Sequence, residues 1–181
     1  MGDFKLYMLN KPFGLLSQFT DEGRKQGLGS LQLPWGKDVY SVGRLDADSE
    51  GLLLLTNNNR LKTHLLDPER GHERTYHVQV EGVPTEDHLQ QLRAPLLLRI
   101  KGKAFRTRGA KAEVISPAWP DRVPPIRVRK TVPDTWLELT LTEGKNRQVR
   151  RMTAAVGLPT LRLIRVSMGP WNLDNLAPGQ W

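Results

Sequence analysis

Apolar positions along the chain predict more strands than helices. The clearest alternation runs over residues 75–81, where Tyr76, Val78 and Val80 share one face. Four consecutive leucines predict a buried strand over Gly51–Thr56. Further strands are predicted, in chain order, at Lys5–Leu9, Val39–Val42, Leu96–Ile100, Ala104–Arg108, Ala112–Ser116, Thr135–Thr142 and Leu161–Met168.

Helical periodicity is confined to short segments. Asn59 is predicted to cap a helix that ends at Leu66, and Thr85 to cap a helix that ends near Ala94. A third helix is predicted over Lys145–Val156, with its apolar residues along one stripe. Because the strands mostly follow one another without helices between them, the pattern favours an α+β fold with a largely antiparallel sheet. The proline-rich stretch 117–133 is predicted to be extended or loop-like.

Charge is distributed unevenly along the 181 residues. The formal net charge is +8, yet residues 99–165 contain 16 Lys and Arg against 5 Asp and Glu, a balance of +11. The remaining residues contain 11 and 14, a balance of −3. A basic surface of this size suits a polyanion, either a nucleic acid or an anionic membrane, although a solvated basic face without a partner has the same composition.

Several kinds of site are excluded or disfavoured by composition. With no Cys, the chain has no disulfide framework, iron–sulfur cluster or thiolate zinc site, and its 4 His show no metal-binding spacing. A glycine-rich dinucleotide motif after a strand is also missing, so we expect neither a metal nor a cofactor. No apolar run is long enough for a membrane span and the N-terminus has no apolar signal region, which predicts a cytoplasmic protein without a membrane partner.

Two segments contain most of the candidate chemistry. In the first, SVGRLDADSEG over 41–51, Asp46 follows Arg44 and precedes an apolar strand. A carboxylate in that setting suits a tuned nucleophile or base. Asp46 and Asp48 also fit a paired acid and base, as in glycoside hydrolysis, or a loop that simply caps the next strand.

The second segment is EGKNRQVRRM, over residues 143–152. A helix that opens with Asn146 and carries Arg147, Arg150 and Arg151 can bind phosphates through its charge and its N-terminal amides. We therefore predict Arg147 and Arg150 as substrate-binding residues. The alternative is a solvated helix face.

Taken together, these segments resemble motifs of the pseudouridine synthases, in the branch typified by RsuA. GRLDADSEGLLLLT resembles the active-site motif and EGKNRQVRRM the C-terminal motif of this branch. LNKPFGLLS and ERTYHVQVEG are similar to its other two motifs, in the expected order, and the tail GLPTLRLIRVSMGPW also fits. The resemblance covers the chain from about Lys5 to Trp171.

The resemblance implies one catalytic domain, residues 1–181, with the pseudouridine synthase fold. That fold is α+β, with a mixed, largely antiparallel sheet in two lobes flanked by helices and a catalytic cleft between the lobes. We place the N-terminal lobe at about 1–70 and the C-terminal lobe at about 71–181. Most members of the branch have an S4-type RNA-binding domain first. Here the first motif begins at Leu9, so we expect no such domain.

The resemblance also implies roles for individual residues. Asp46 corresponds to the essential aspartate, Tyr76 to the tyrosine that packs on the target base, and Lys145 to the basic residue that pairs with the aspartate. Leu163 corresponds to a leucine that lines the uracil pocket. Arg44 corresponds to the residue that fills the gap left by the flipped nucleotide.

The implied activity is site-specific isomerisation of uridine to pseudouridine in ribosomal RNA, with 23S rRNA as substrate and partner. It requires no cofactor, and we expect a monomer. Two other functions remain open at this stage. One is a non-catalytic ribosome-assembly factor on the same fold, which binds RNA without turnover. The other is a hydrolase that uses Asp46 and Asp48 on a nucleic acid or glycoside.

Overall fold

The chain forms two compact units. The computed structural model describes residues 2–181, and Met1, the first residue of the predicted N-terminal lobe, lies outside that range. Unit 1 contains the residues up to His72 together with Ile164–Trp181. Unit 2 contains Glu73–Leu163.

Both units are built mainly from strands. The strands are β1 (Leu6–Lys11), β2 (Tyr40–Ser41), β3 (Glu50–Thr56), β4 (Arg74–Glu81), β5 (Leu97–Ile100), β6 (Lys103–Arg106), β7 (Lys111–Ile115), β8 (Asp134–Leu141), β9 (Thr160–Met168) and β10 (Trp171–Asn172). The helices are α1 (Asn59–Leu66), α2 (Glu86–Arg93) and α3 (Gln148–Ala155). Short 3₁₀ turns cover Leu28–Leu31 and Pro68–Arg70. The α+β class predicted from the pattern is confirmed.

Unit 1 is organised around the leucine-rich strand β3. This strand pairs antiparallel with β1, from Leu6 opposite Thr56 to Lys11 opposite Gly51, and antiparallel with the short β2. It pairs in parallel with the part of β9 that begins at Ile164, and β10 adds to β9. The four leucines of β3 are fully buried, as the sequence predicts, because both faces of this strand are covered.

Unit 2 contains the strand order β9-β4-β8-β7. Strands β4 and β8 pair antiparallel over their whole length, from Arg74 opposite Leu141 to Glu81 opposite Asp134. The predicted alternation is confirmed, since Tyr76, Val78 and Val80 are all buried. They form one core with residues from β8, α2 and α3, namely Leu137, Leu139, Leu89, Leu92, Val149 and Met152. Strands β5 and β6 form a separate hairpin.

The other face of β4 and β8 is polar. Here Thr75 bonds Thr140 through their hydroxyls, at 2.9 Å. His77 contacts Glu138 through Nε2, also at 2.9 Å, and accepts a hydrogen bond on Nδ1 from Trp119 Nε1 at 3.0 Å. Trp119 belongs to the stretch 117–133, which is irregular as predicted. This stretch therefore packs on the polar face of the sheet.

Two predicted helix starts are wrong. Helix α1 is capped by Asn58, whose side chain accepts a hydrogen bond from Leu61 N, so Asn59 is its first residue and not its cap. Helix α3 begins at Gln148, because Arg147 adopts a left-handed conformation with φ 51° that ends the preceding turn. The predicted cap Thr85 is confirmed and forms a capping box with His88. No helix in residues 2–181 has the length and hydropathy to span a bilayer.

Candidate active site

The loop that carries Asp46 is fixed by hydrogen bonds from another part of unit 1. The Ser17 hydroxyl donates to the Leu45 carbonyl at 2.8 Å and accepts from the Leu45 amide at 2.9 Å. The Gly14 amide donates to the Ala47 carbonyl at 2.7 Å. Asp46 itself is half-buried and begins a turn in which the Ser49 amide donates to its carbonyl. The LNKPFGLLS segment thus holds the backbone on both sides of the predicted catalytic carboxylate.

A buried lysine faces the acidic residues of this loop. Lys11 is fully buried at the end of β1, and its Nζ donates to the carbonyls of Pro12 and Leu15 at 2.9 and 2.8 Å. Burial lowers the pKa of Lys11 to about 8, while the charges of Glu50, Asp48 and Asp46 act in the opposite direction. These interactions link the first motif to the Asp46 loop through charge as well as through hydrogen bonds.

The lowered pKa of Lys11 predicts a pH-dependent contribution to stability. Below about pH 8 both the folded and unfolded chains carry the proton, so the full cost of burying the charge is present. Between pH 8 and 10.5 only the unfolded chain retains it, and the contribution of this residue to the free energy of unfolding rises with pH. The change in pKa from 10.5 to about 8 corresponds to about 3 kcal/mol.

Urea unfolding of the wild type and of Lys11→Met, followed from neutral pH to pH 10.5, measures this contribution. We expect the stability of the wild type relative to the variant to rise by about 3 kcal/mol over that range. The comparison cancels the titration of groups that both proteins share. A difference that stays constant with pH would contradict this account of Lys11.

Directly after the loop, the backbone at the start of β3 lies very close to the backbone of β9. Gly51 has φ 109°, and a Cβ built at this position would lie 2.2 Å from the Arg165 carbonyl oxygen and 2.7 Å from its nitrogen. Arg165 is buried and donates through Nε to the Leu52 carbonyl at 2.9 Å. Only glycine fits here, so Gly51 sets where the Asp46 loop ends and the sheet begins.

Arg44 lies at the surface of the same unit. Its guanidinium Nη2 donates to Gln18 Oε1 at 2.9 Å. The segment from Arg44 to Asp46 lies between β2 and β3, so the alternation of an extended strand does not set the relative direction of these two side chains. The structure therefore gives Arg44 a position on the surface of unit 1, close to the segment that fixes the loop.

In unit 2, the two residues predicted to contact the uracil ring belong to one apolar cluster. Tyr76 lies in β4, opposite Leu139 of β8, and is 9 % exposed. Leu163 lies in β9 and is 6 % exposed. Both are members of the core that α3 covers with Met152. The tyrosine ring is therefore held by close packing, as the alternation in the sequence predicted.

Lys145 lies in a turn that a buried polar network holds in place. Gln148 donates through Nε2 to Glu143 Oε1 at 2.8 Å, and its Oε1 accepts from the Lys145 amide at 3.1 Å. The same Glu143 oxygen accepts from the Arg108 amide at 2.8 Å. Lys145 is exposed, with its Nζ 5.3 Å from the centre of the Phe105 ring. The backbone of Lys145 is fixed, and its ammonium lies at the surface.

The arginines of this segment differ in their surroundings. Arg147 is exposed and Arg150 half-buried, and both remain predicted substrate-binding residues. Arg151 donates to the Asn146 carbonyl through Nε and to its side-chain oxygen through Nη2, both at 3.0 Å. Arg151 therefore braces the turn. The helix does not open with Asn146 as predicted, because this residue lies within the turn that Arg151 and Gln148 stabilise.

The predicted site residues thus divide between the two units. Unit 1 contains Arg44 and Asp46, and unit 2 contains the others, Tyr76, Lys145, Arg147, Arg150 and Leu163. Sequence reasoning did not identify Lys11, Glu143 and Gln148 as supports of the site. One feature of the sequence could have identified Lys11. It is a lysine at the end of an apolar strand, in the LNKPFGLLS segment, and the loop that contains Asp46 is acidic. The part of the chain that the structure describes contains no group of His, Asp and Glu able to hold a metal ion.

Comparison with known proteins gives consistent matches. A family model described as RNA pseudouridylate synthase matches residues 5–155. The chain is 58 % identical over 178 residues to "Ribosomal large subunit pseudouridine synthase E" of Xanthomonas axonopodis pv. citri (strain 306), covering 96 % of this chain and 90 % of that protein. It is 50 % identical to the protein of the same name from Vibrio parahaemolyticus serotype O3:K6 (strain RIMD 2210633), covering 98 % of this chain and 72 % of that one.

A solved structure is also similar. The crystal structure of a pseudouridylate synthase superposes with a TM-score of 0.81 at 28 % sequence identity, covering 99 % of this chain and 70 % of that one.

Proposed function

Because the chain belongs to the RNA pseudouridylate synthase family, we propose that it converts uridine to pseudouridine in ribosomal RNA of the large subunit, 23S rRNA. The observation that carries the choice of RNA is the 58 % identity, over 96 % of this chain, to a protein named for the large ribosomal subunit. The strong positive balance of residues 99–165 is consistent with a polyanionic substrate.

The reaction breaks the N1–C1′ bond of uridine, turns the ring and joins C5 to C1′. The proton on C5 leaves and N1 gains a proton, so there is no net oxidation or reduction. We assign to Asp46 the carboxylate that assists cleavage of the glycosidic bond, which requires the ionised form. Ser17 and Gly14 fix the loop that holds Asp46 before the substrate binds. The entropic cost of ordering this loop therefore does not contribute to the activation free energy.

Access to the target base requires that it leave the RNA stack, which costs about a few kcal/mol. Arg44, exposed beside Gln18, is proposed to fill the vacated position and so reduce this cost. Tyr76 and Leu163 are proposed to contact the uracil ring, a role that fits their shared apolar cluster. Lys145 is proposed to supply positive charge to the reaction, a role that rests on its place in the EGKNRQVRRM motif.

Tyr76 is also a candidate for the group that removes or orients the C5 proton after the ring has turned. We expect Tyr76→Phe to lower the single-turnover rate of pseudouridine formation at least about a hundredfold, since general base catalysis is commonly worth that much. The affinity for RNA should stay within about twofold of wild type, because phosphate contacts dominate that affinity. Tyr40→Phe in β2 is the matched control. Unchanged single-turnover kinetics in Tyr76→Phe would remove the hydroxyl from the chemistry.

The substrate is tested by treating unmodified 23S and 16S rRNA separately with the protein. Carbodiimide modification followed by primer extension then marks each pseudouridine as a stop. We expect one new stop in 23S rRNA and none in 16S rRNA. Stops confined to 16S rRNA would overturn the choice of substrate while leaving the synthase activity in place.

A further inference from the structure

The β5–β6 hairpin of unit 2 is a rigid two-stranded ribbon. Its strands pair from Leu97 opposite Arg106 to Ile100 opposite Lys103. Lys101 and Gly102 join them with φ values of 51° and 79°, the left-handed conformations that a tight two-residue hairpin turn requires. The base of the ribbon is closed by hydrogen bonds in both directions between residues 96 and 107, at 2.8 Å each.

This ribbon concentrates unpaired positive charge. Four exposed cations lie on it: Arg99, Lys101, Lys103 and Arg106. Within residues 2–181, none of their side chains makes a hydrogen bond or an ion pair. No Asp or Glu occurs between positions 87 and 113 of the sequence, so no acidic neighbour in the chain compensates them.

Three other surface cations of unit 2 have acidic partners. Arg93 contacts Glu86 at 2.7 Å, Lys111 contacts Glu73 at 2.9 Å, and Arg129 contacts Glu81. The hairpin therefore differs from these three positions, where an acidic residue offsets the charge. Four like charges within one short hairpin repel one another, which favours binding of an external polyanion.

The hairpin is attached to the turn that presents Lys145. Arg151 Nη1 donates to the Arg99 carbonyl at 3.2 Å, and the Lys145 ammonium lies 5.3 Å from the centre of the Phe105 ring in β6. Lys103 and Phe105 share one face of the hairpin because they are two residues apart in the strand. A polyanion bound to this face would therefore pass beside Lys145. Arg99 and Arg106 share the opposite face, since they pair with Ala104 and Leu97.

We propose that the β5–β6 hairpin binds the phosphate backbone of the RNA next to the target uridine. This inference rests on the proposed function and deepens it, since it assigns a docking surface for the same substrate. Lysine and arginine contacts to phosphates position the nucleic acid and contribute little sequence discrimination. Among polyanions, RNA is favoured over a membrane surface because the ribbon adjoins the turn of a motif assigned to RNA chemistry.

The test removes the four charges and keeps a polar side chain at each position. The variant is Arg99→Gln, Lys101→Gln, Lys103→Gln and Arg106→Gln. The matched control replaces two Arg and two Lys that are exposed in unit 1: Arg24→Gln, Lys25→Gln, Lys37→Gln and Arg60→Gln. Both variants lower the formal net charge by the same amount, so the comparison separates local contacts from overall charge.

The affinity of each protein for unmodified 23S rRNA is measured as a function of salt, from about 50 to about 200 mM. We expect the slope of log K against log salt to be shallower by about 3 in the hairpin variant, since each lost phosphate contact removes about 0.7–0.9. The fourfold rise in salt should then weaken its binding about 60-fold less than that of wild type. The single-turnover rate at saturating RNA should remain within about twofold of wild type, and the control should follow wild type throughout.

A second variant, Lys101→Gln with Lys103→Gln, alters only the tip of the hairpin and should show about half the change in slope. A wild-type slope in both hairpin variants would overturn the proposal, as would an equal loss in the control. Loss of binding to phosphatidylserine vesicles with unchanged binding to RNA would do the same. The wild type could form no pseudouridine while the hairpin variant still shows a shallower salt dependence of RNA binding than wild type. That result would contradict the proposed function and support the docking surface.

Discussion

Replacing Asp46 with asparagine is expected to abolish pseudouridine formation. The Asp46→Asn variant would keep the shape of the side chain and lose the negative charge and nucleophilicity that cleavage of the glycosidic bond requires. We expect the single-turnover rate to fall at least about a thousandfold. Stability should change little, because Ser17 and Gly14 hold the backbone of the loop on both sides of Asp46. The rate is measured on 23S rRNA labelled with tritium at C5 of uridine, and the melting temperature checks the fold.

The chain offers a matched control for this variant. Asp48 is half-buried in the same loop, and like Asp46 it acts on the buried ammonium of Lys11. Asp48→Asn therefore removes the same charge from nearly the same environment. We expect it to retain turnover within about tenfold of wild type. Equal loss in both variants would instead point to a paired acid and base, as a hydrolase would use.

Gly51→Ala is expected to be the most damaging small substitution in unit 1. The added methyl group would lie 2.2 Å from a backbone oxygen of Arg165, and backbone in a paired strand cannot move aside cheaply. Its φ of 109° is also costly for any residue with a Cβ. Overpacking and backbone strain together predict a loss of about 4 kcal/mol in the free energy of unfolding. Urea unfolding measures it, and loss of soluble protein at about 37 °C is the extreme outcome.

The Gly14→Ala variant separates the effect of a steric clash from the effect of backbone strain at a positive φ. Gly14 also has a positive φ, 93°, but a Cβ at this position would have no heavy atom within 4 Å apart from those of its neighbours in the chain. We expect this variant to lose only about 1–2 kcal/mol, the cost of the backbone conformation alone. Equal losses at Gly51 and Gly14 would show that the close approach to Arg165 is unimportant for stability.

The sequence predicted the strands best where burial follows a simple period. The alternation around Tyr76, Val78 and Val80 and the leucine run of β3 both match the observed elements. The start of α1 was missed by one residue because two asparagines compete for its cap, and the start of α3 by three residues because Arg147 adopts a left-handed conformation before it. Asn58 and Asn59 are both good caps, and the backbone of the preceding strand decides between them. Strand β10 was missed because a strand of two residues is too short to show an alternation of apolar and polar positions.

The sequence predicts candidate site residues through its motifs, but it does not show which residues hold them in place. Asp46, Tyr76 and Lys145 are predicted through resemblance, and the position of Tyr76 on the apolar face of its strand is also predicted from the alternation. The residues that hold them were missed because their partners are distant in sequence. Ser17 fixes Leu45 across 28 positions, and Glu143 accepts from Arg108 across 35. No local pattern records such contacts, and only the folded chain brings them together.

Pseudouridine synthesis is tested most directly by following three products in one reaction of the protein with unmodified 23S rRNA. These are tritium released from C5 of uridine, free uracil, and broken strands. We expect tritium release equal to the pseudouridine formed, with no uracil and no new strand ends, because the base is rejoined to the same sugar. Release of uracil or cleavage of the strand would contradict it and identify a hydrolase. Tight binding with no tritium release would contradict it as well and identify a ribosome-assembly factor.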